Sequence, residues 1–253
     1  MADLLELPDR SVKPRQQGLT HVLDRGLSLA DIDGMIEVAG DSVDIVKLGW
    51  GTALATANLG PKLERYREHE IPVVLGGTLT ELAISQGRLD ELISWVKELG
   101  LRHFEISDGT ITLDHGRKVE LVARLAEDFT ILSEVGSKDD TGAITPQYRW
   151  VEQMSRELEA GAWKVIAEGR EAGTAGIFRH TVEVREGLID EIVHGIDPRR
   201  IMFDAPRKHQ QVWFVRRFGP DVNLGNIPAG DVLALETLRL GLRSDTLGIR
   251  ERG

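Results

Sequence analysis

Residues 103–134 read HFEISDGTITLDHGRKVELVARLAEDFTILSE, and the pattern of this segment decides the fold. A short apolar run ends on acidic residues and Gly109, a helical pattern follows from His115, and a second β-branched run begins at residue 130. A strand, a returning helix and a second strand take roughly 30 residues per unit and imply parallel pairing. The same rhythm fills the chain. Runs at 19–23, 44–48, 73–75, 103–106, 130–134, 163–167, 201–203 and 222–224 each end near Gly or a charged residue, and helical patterns lie between them. Eight such units in 253 residues predict one α/β domain, a (β/α)8 TIM barrel over residues 1–253, in preference to an open doubly wound sheet. Residues 1–18 are expected to wrap the outside or the barrel floor, and residues 244–253 to form a tail.

The helical stretches follow the same logic. Leu92, Trp95, Val96 and Leu99 make an apolar stripe over 90–99 that Gly100 ends. Pro146 suits a helix start before 148–158, and 185–193 and 232–242 carry similar patterns. Hydrophobic residues make up 41% of the chain, enough for a large core. The formal net charge of −10 argues against a nucleic-acid partner, which needs a basic face. With no cysteine, disulfides, thiolate nucleophiles and Cys-bound metals are excluded. The opening MADLLELPDR lacks a basic start and an apolar run, and no apolar stretch approaches 18 residues. The expectation is a cytoplasmic protein with no membrane partner.

In such barrels the loops after the strands carry the chemistry. The residues at those positions are Asp24, Lys47, Gly76-Gly77-Thr78, Glu105, Ser107, Asp108, Glu134, Ser137, Lys138, Glu168, Arg170, Glu171, Asp204, Arg207, Lys208, His209, Asn223 and Asn226. Singly, each reads equally well as a solvated or paired strand end. Together, Asp24, Glu105, Glu134, Glu168 and Asp204 would crowd one rim, where each like-charge pair at ~4 Å costs roughly 1–4 kcal/mol. Such a ring needs cations. Lys47, Lys138, Arg170, Arg207 and Lys208 supply some, and Mg²⁺ held by two or three acids would supply the rest. Glu105, Glu134 and Glu168 are the metal candidates, with Asp24 and Asp204 next. The run from Gly169 through Gly173 and Thr174 to Gly176, with Arg170, suits a phosphate or sulfonate. Arg170, Gly173, Thr174, Gly176, Arg207, Lys208 and Asn226 are therefore the substrate-binding candidates. No G-x-G-x-x-G follows the first run and no Walker A is present, so no nucleotide is indicated. His115, His180 and His194 read as helix residues, His103 as packing, and His209 as a candidate substrate contact.

The stretches KPRQQGLTHVLDRG (13–26), DIVKLGWGT (44–52), GGTLTE (76–81), FEISDGTI (104–111), SEVGSKD (133–139), AEGREAGTAGI (167–177), FDAPRKHQQVWF (203–214) and VNLGNI (222–227) resemble the phosphosulfolactate synthase family. They touch all eight strand ends. The resemblance implies a Mg²⁺-dependent barrel that joins sulfite to phosphoenolpyruvate to give (2R)-2-phospho-3-sulfolactate, an early step toward coenzyme M or sulfolactate. It also implies a homo-oligomer, with a trimer the first expectation. It points to Lys138 as the proton donor, with Lys47 the second catalytic candidate. Two other readings stay open at this stage. One is a different barrel lyase or aldolase, for which Lys164 could form a Schiff base were it not so early in its strand. The other is a non-enzymatic relative, since plant heat-stress proteins are similar to the family.

Overall fold

The computed structural model describes residues 4–136, 146–169 and 172–249. Its strands are β1 (Thr20–Asp24), β2 (Ile45–Leu48), β3 (Val73–Leu75), β4 (His103–Ile106), β5 (Thr130–Val135), β6 (Lys164–Ala167), β7 (Ile201–Asp204) and β8 (Leu224–Pro228). The helices between them are α1 (Leu29–Ala39), α2 (Thr52–Ala55), α3 (Leu59–Glu68), α4 (Gly77–Ser85), α5 (Leu89–Glu98), α6 (His115–Ala126), α7 (Gln147–Glu159), α8 (Glu186–Gly195), α9 (Lys208–Phe218) and α10 (Val232–Arg239). The ladders are all parallel and run in the order β3-β2-β1-β8-β7-β6-β5-β4. The barrel nearly closes where β3 meets β4. There the first turn of α4 replaces the ladder: the Gly77 N–H donates to Glu105 Oε1 at 2.6 Å and Thr80 Oγ1 to the Glu105 carbonyl at 2.7 Å.

Strand side chains alternate between the two faces of the sheet, and that period organises the molecule. Leu19, Ile45, Val74, Leu132, Ile166 and Met202 form a closed apolar layer inside the barrel. Two residues further along each chain segment stand His21, Lys47, Gly76, Glu134, Glu168 and Asp204. The polar layer thus sits directly on an apolar plug that keeps water from entering beneath. The opposite parity, including Val22, Val46, Phe104, Ile131, Val165 and Phe203, packs outward against the helices. Phe203 stacks on Phe214 and Phe218 of α9 with ring centroids 4.7 and 5.4 Å apart, the kind of pair worth about 0.5–1.5 kcal/mol beyond area. In α1 the N-cap Ser28 and Asp31 form a reciprocal capping box.

Part of the N-terminal segment lies against the barrel floor. Arg10 pairs with Asp221 and Glu236, and Lys164 Nζ donates to the Gln16 and Arg199 carbonyls, fixing that lysine on the floor. Three expectations need correction. The eighth strand runs over Leu224–Pro228 rather than 222–224, and a register shift against β1 beside the left-handed Asn226 (φ 54°) accompanies its pairing onward to Pro228. His180 lies in a turn rather than a helix. The C-terminal residues up to 249 dock rather than trail: Thr246 is buried, and its hydroxyl donates to the Leu238 carbonyl at 2.7 Å. No described helix is long and apolar enough to cross a membrane.

Candidate active site

Lys47 rises from the apolar layer at the centre of β2, and its Nζ lies 2.9 Å from Glu105 Oε1 and 3.3 Å from Glu134 Oε2. Burial alone would lower this ammonium, but Glu105 and Glu134 outweigh it and hold the lysine firmly charged. One cation cannot neutralise two acids. Burial therefore pushes Glu105 above the usual carboxylate range despite Lys47, and the charge on Glu134 adds to the rise. Asp204, also inside the barrel, is pushed up to about 8, chiefly by burial. Its Oδ2 accepts from Asn226 Nδ2 at 2.7 Å and from the Gly169 N–H at 3.2 Å, which links the ends of β6, β7 and β8. His21 is wholly buried and its ring is held neutral by desolvation. Gly225 has no side chain because a Cβ there would stand 2.7 Å from Asp204 Oδ1.

Above this layer opens a cavity of about 400 Å³. Lys47, Glu105, Glu134, Glu168 and Asn226 supply its polar wall, and Gly76, Gly77, Thr78, Gly169 and Thr174 bring backbone close to it. Leu23 and Trp50 add the apolar side. A larger groove of about 1240 Å³ runs beneath the N-terminal segment at the opposite end. We place the chemistry in the smaller cavity, because the strand C-termini and the convergent charges meet there. Among the described residues no three His, Asp or Glu side chains form a ready-made metal cage. Glu105 Oε2 and Asn226 Oδ1 are buried without a partner. Oxygen donors of this kind fit Mg²⁺, which takes one or two carboxylates and keeps several waters.

The structure thus brings together Lys47, Glu105, Glu134, Glu168, Thr174 and Asn226. Gly173 and Gly176 shape the loop beside them. Gly176 has φ 66°, and a Cβ on it would fall 1.9 Å from the Glu168 carbonyl oxygen. Lys138 and Arg170 lie outside the described residues. Asp24, Arg207 and Lys208 do not line the cavity. Asp24 shares the outward parity of Val22 and is consumed by Lys62 Nζ at 2.8 Å, Tyr66 Oη at 2.9 Å and the Gly26 and Leu27 N–H groups. Arg207 is exposed and donates to the Ala172 carbonyl, and Lys208 pairs with Asp245 at 2.7 Å on the outer surface. His209 reaches the Val182 carbonyl at 3.1 Å instead of the cavity.

Two residues of the site's support escaped the sequence reading. Glu81 is buried on α4, where Ser107 Oγ lies 2.6 Å from its Oε1 and also 3.0 Å from Glu134 Oε1, so the hydroxyl bridges two carboxyl groups. Lys118 is buried behind β5 and grips Asp108 at 2.8 Å, Glu157 at 3.1 Å and the Glu134 carbonyl at 2.6 Å. Its signal was present: Lys118 falls in line with Val122 and Leu125 on the buried stripe of α6.

The geometry can be set beside known proteins. Residues 8–245 match the family model for (2R)-phospho-3-sulfolactate synthase (ComA). A phosphosulfolactate synthase of Bacillus subtilis is 43% identical over 96% of this chain and 97% of its own. Another, from Methanothermobacter thermautotrophicus, is 39% identical over 95% of each. In the fold alone, the chain is similar to a solved 3-hexulose-6-phosphate synthase, with TM-score 0.55 and 14% identity over 86% of this chain and 97% of that one. A match that spans the barrel and includes every strand end of the cavity, at this level of identity, leaves one assignment: the chain belongs to the phosphosulfolactate synthase family.

Proposed function

We propose that this enzyme adds sulfite to C3 of phosphoenolpyruvate, with Mg²⁺, to give (2R)-2-phospho-3-sulfolactate. The observation that carries the reading is the cavity itself: a small, oxygen- and glycine-lined chamber at the strand ends with a charged lysine at its base. The sulfite sulfur lone pair forms the S–C3 bond while the C2=C3 π pair moves toward C2 and the carboxylate, and one proton is then added to C2. Glu105, Glu168 and Asn226 would hold the ion, which when bound supplies neutralising charge for the carboxylate as electrons build on it.

The remaining work falls to the chain. Lys47 offsets Glu105 and Glu134, so that a polyanion can enter a chamber otherwise lined by acids. The start of α4 at Thr78 and the loop around Thr174 offer donors for phosphate or sulfonate oxygens. The apolar layer below excludes water and so strengthens each of these contacts. Lys138, the lysine of the 133–139 stretch to which the family resemblance points, is the proton donor to C2. A lysine protonated at neutral pH is suited to that role. Lys164 is tied to the Gln16 and Arg199 carbonyls on the floor and does not line the cavity, which argues against a Schiff-base role for it. The test is incubation with phosphoenolpyruvate, sulfite and Mg²⁺ followed by mass spectrometry. Phosphosulfolactate is expected, and its absence at millimolar substrates would overturn the assignment. Assembly as a homo-oligomer, with product passing toward coenzyme M or sulfolactate, belongs to the same proposal.

A further inference from the structure

Lys47 is the one cation among the described residues that line the cavity. Among the described residues lining it, Lys47 faces Glu105, Glu134 and Glu168, and Lys47 is already shared by two of them. Nearby cations are committed elsewhere: Lys62 to Asp24, Lys118 to Asp108 and Glu157, and Arg185 to the Gly176 carbonyl at 2.9 Å. A tetrahedral dianionic group is well matched by a guanidinium at the cavity mouth. Arg25 follows directly on the end of β1, is exposed, and makes no ion pair among the described residues. Its guanidinium lies over the Trp50 ring, 5.4 Å from the centroid. Trp50 lines the cavity, half exposed, with a left-handed backbone (φ 54°) that a bulky side chain rarely adopts. Such a conformation is kept where the surroundings demand it, often at ligand clamps. An arginine resting on an aromatic face keeps its in-plane N–H donors free for an oxyanion.

We propose that Arg25, carried on Trp50, is a specificity-determining cation that receives a tetrahedral oxyanion of the substrates at the cavity mouth, with Trp50 as its positioning residue. This deepens the synthase reading and rests on it for the identity of the anion, which is either the phosphoryl group of phosphoenolpyruvate or sulfite. The probes are inorganic phosphate and sulfite, titrated separately by calorimetry into the parent protein, Arg25→Gln and Arg25→Lys. Steady-state KM for each substrate is measured alongside. Arg25→Gln is expected to weaken one anion by about tenfold or more and to raise the matching KM alike, with kcat within about threefold. Arg25→Lys falls between parent and Gln, because charge remains but the planar fork is lost. Trp50→Leu raises the same KM by roughly threefold, because the guanidinium loses its platform. The anion affected tells which substrate is held. Both side chains are exposed, so the folded state is expected to survive, and thermal melts check that. The proposal is overturned if neither anion binds the parent, or if Arg25→Gln leaves both affinities within about twofold. Anion binding lost in Arg25→Gln without any product from the parent would remove the synthase reading and leave this one standing. Product formed with unchanged affinities and KM would do the reverse.

Discussion

Replacing Lys47 by Met tests whether the centre of the barrel is held by one cation shared between two acids. The substitution keeps the aliphatic stem and removes the ammonium that lies 2.9 Å from Glu105 and 3.3 Å from Glu134. At an effective dielectric near 20, each contact contributes about 5 kcal/mol of attraction, against a desolvation penalty of several kcal/mol for every ion. The net loss on removing one partner of a buried pair is about 3–5 kcal/mol. For a domain of this size that lowers Tm by roughly 6–20 °C. Urea and thermal unfolding followed by circular dichroism at pH 7 give the number. The loss should also depend on pH. Without the lysine, Glu105 loses the partner that lowers it, so burial and the charge on Glu134 raise its folded pKa further and the folded state binds more protons than the unfolded one. Stability of the variant therefore increases as pH falls from 7, and declines as pH rises through that folded value. The companion triple variant Lys47→Met/Glu105→Gln/Glu134→Gln carries no stranded charge and should recover most of the lost stability. A single variant within about 1 kcal/mol of the parent, or a triple variant no better than the single, would refute the reasoning.

Other expectations follow from the same contacts. Lys62→Met should cost about 2–4 kcal/mol, at the low end for a buried pair because Tyr66 and two backbone N–H groups still serve Asp24, and should leave KM for both substrates unchanged. Unfolding curves and kinetics separate the two effects, and a large rise in KM would return Asp24 to the site. Gly176→Ala should cost at least about 2 kcal/mol and displace the 172–176 loop, because its Cβ collides with the Glu168 carbonyl oxygen in a left-handed turn. A Tm equal to the parent's would show that the loop relaxes freely. Lys138→Ala should lower kcat far more than it raises KM, as loss of a transition-state proton donor does, and near-normal turnover would remove it from the mechanism. Chelation should abolish product formation and added Mg²⁺ should restore it, as read by mass spectrometry of the product; turnover that persists after exhaustive chelation argues against the ion.

The alternation of strand and helix was legible because a parallel strand buried on both faces must be apolar, and its return helix must carry a stripe. Both demands are local and leave a mark at fixed spacing, so seven of the eight strands begin within a residue of where the runs predicted. The eighth was misjudged because its bulge at Asn226 has no such mark. Acids at the strand ends were visible as residue types. Their fates were not, because one step of register sends a side chain into the barrel or out of it. Asp204 falls two residues beyond the inward Met202 and enters the polar layer, whereas Asp24 falls two beyond the outward Val22 and becomes an anchor for α3. Arg207 and Lys208 were placed correctly along the chain, yet their long side chains turn to Ala172 and Asp245, partners that only folding brings near. Sequence alone thus determined the barrel, the family and the ring of loops that must hold the chemistry, since each follows from periodicity and local motifs. The tertiary structure alone decided which charges meet, because an ion pair such as Lys47 with Glu105 and Glu134 joins residues far apart in the chain through a distance that no local pattern encodes.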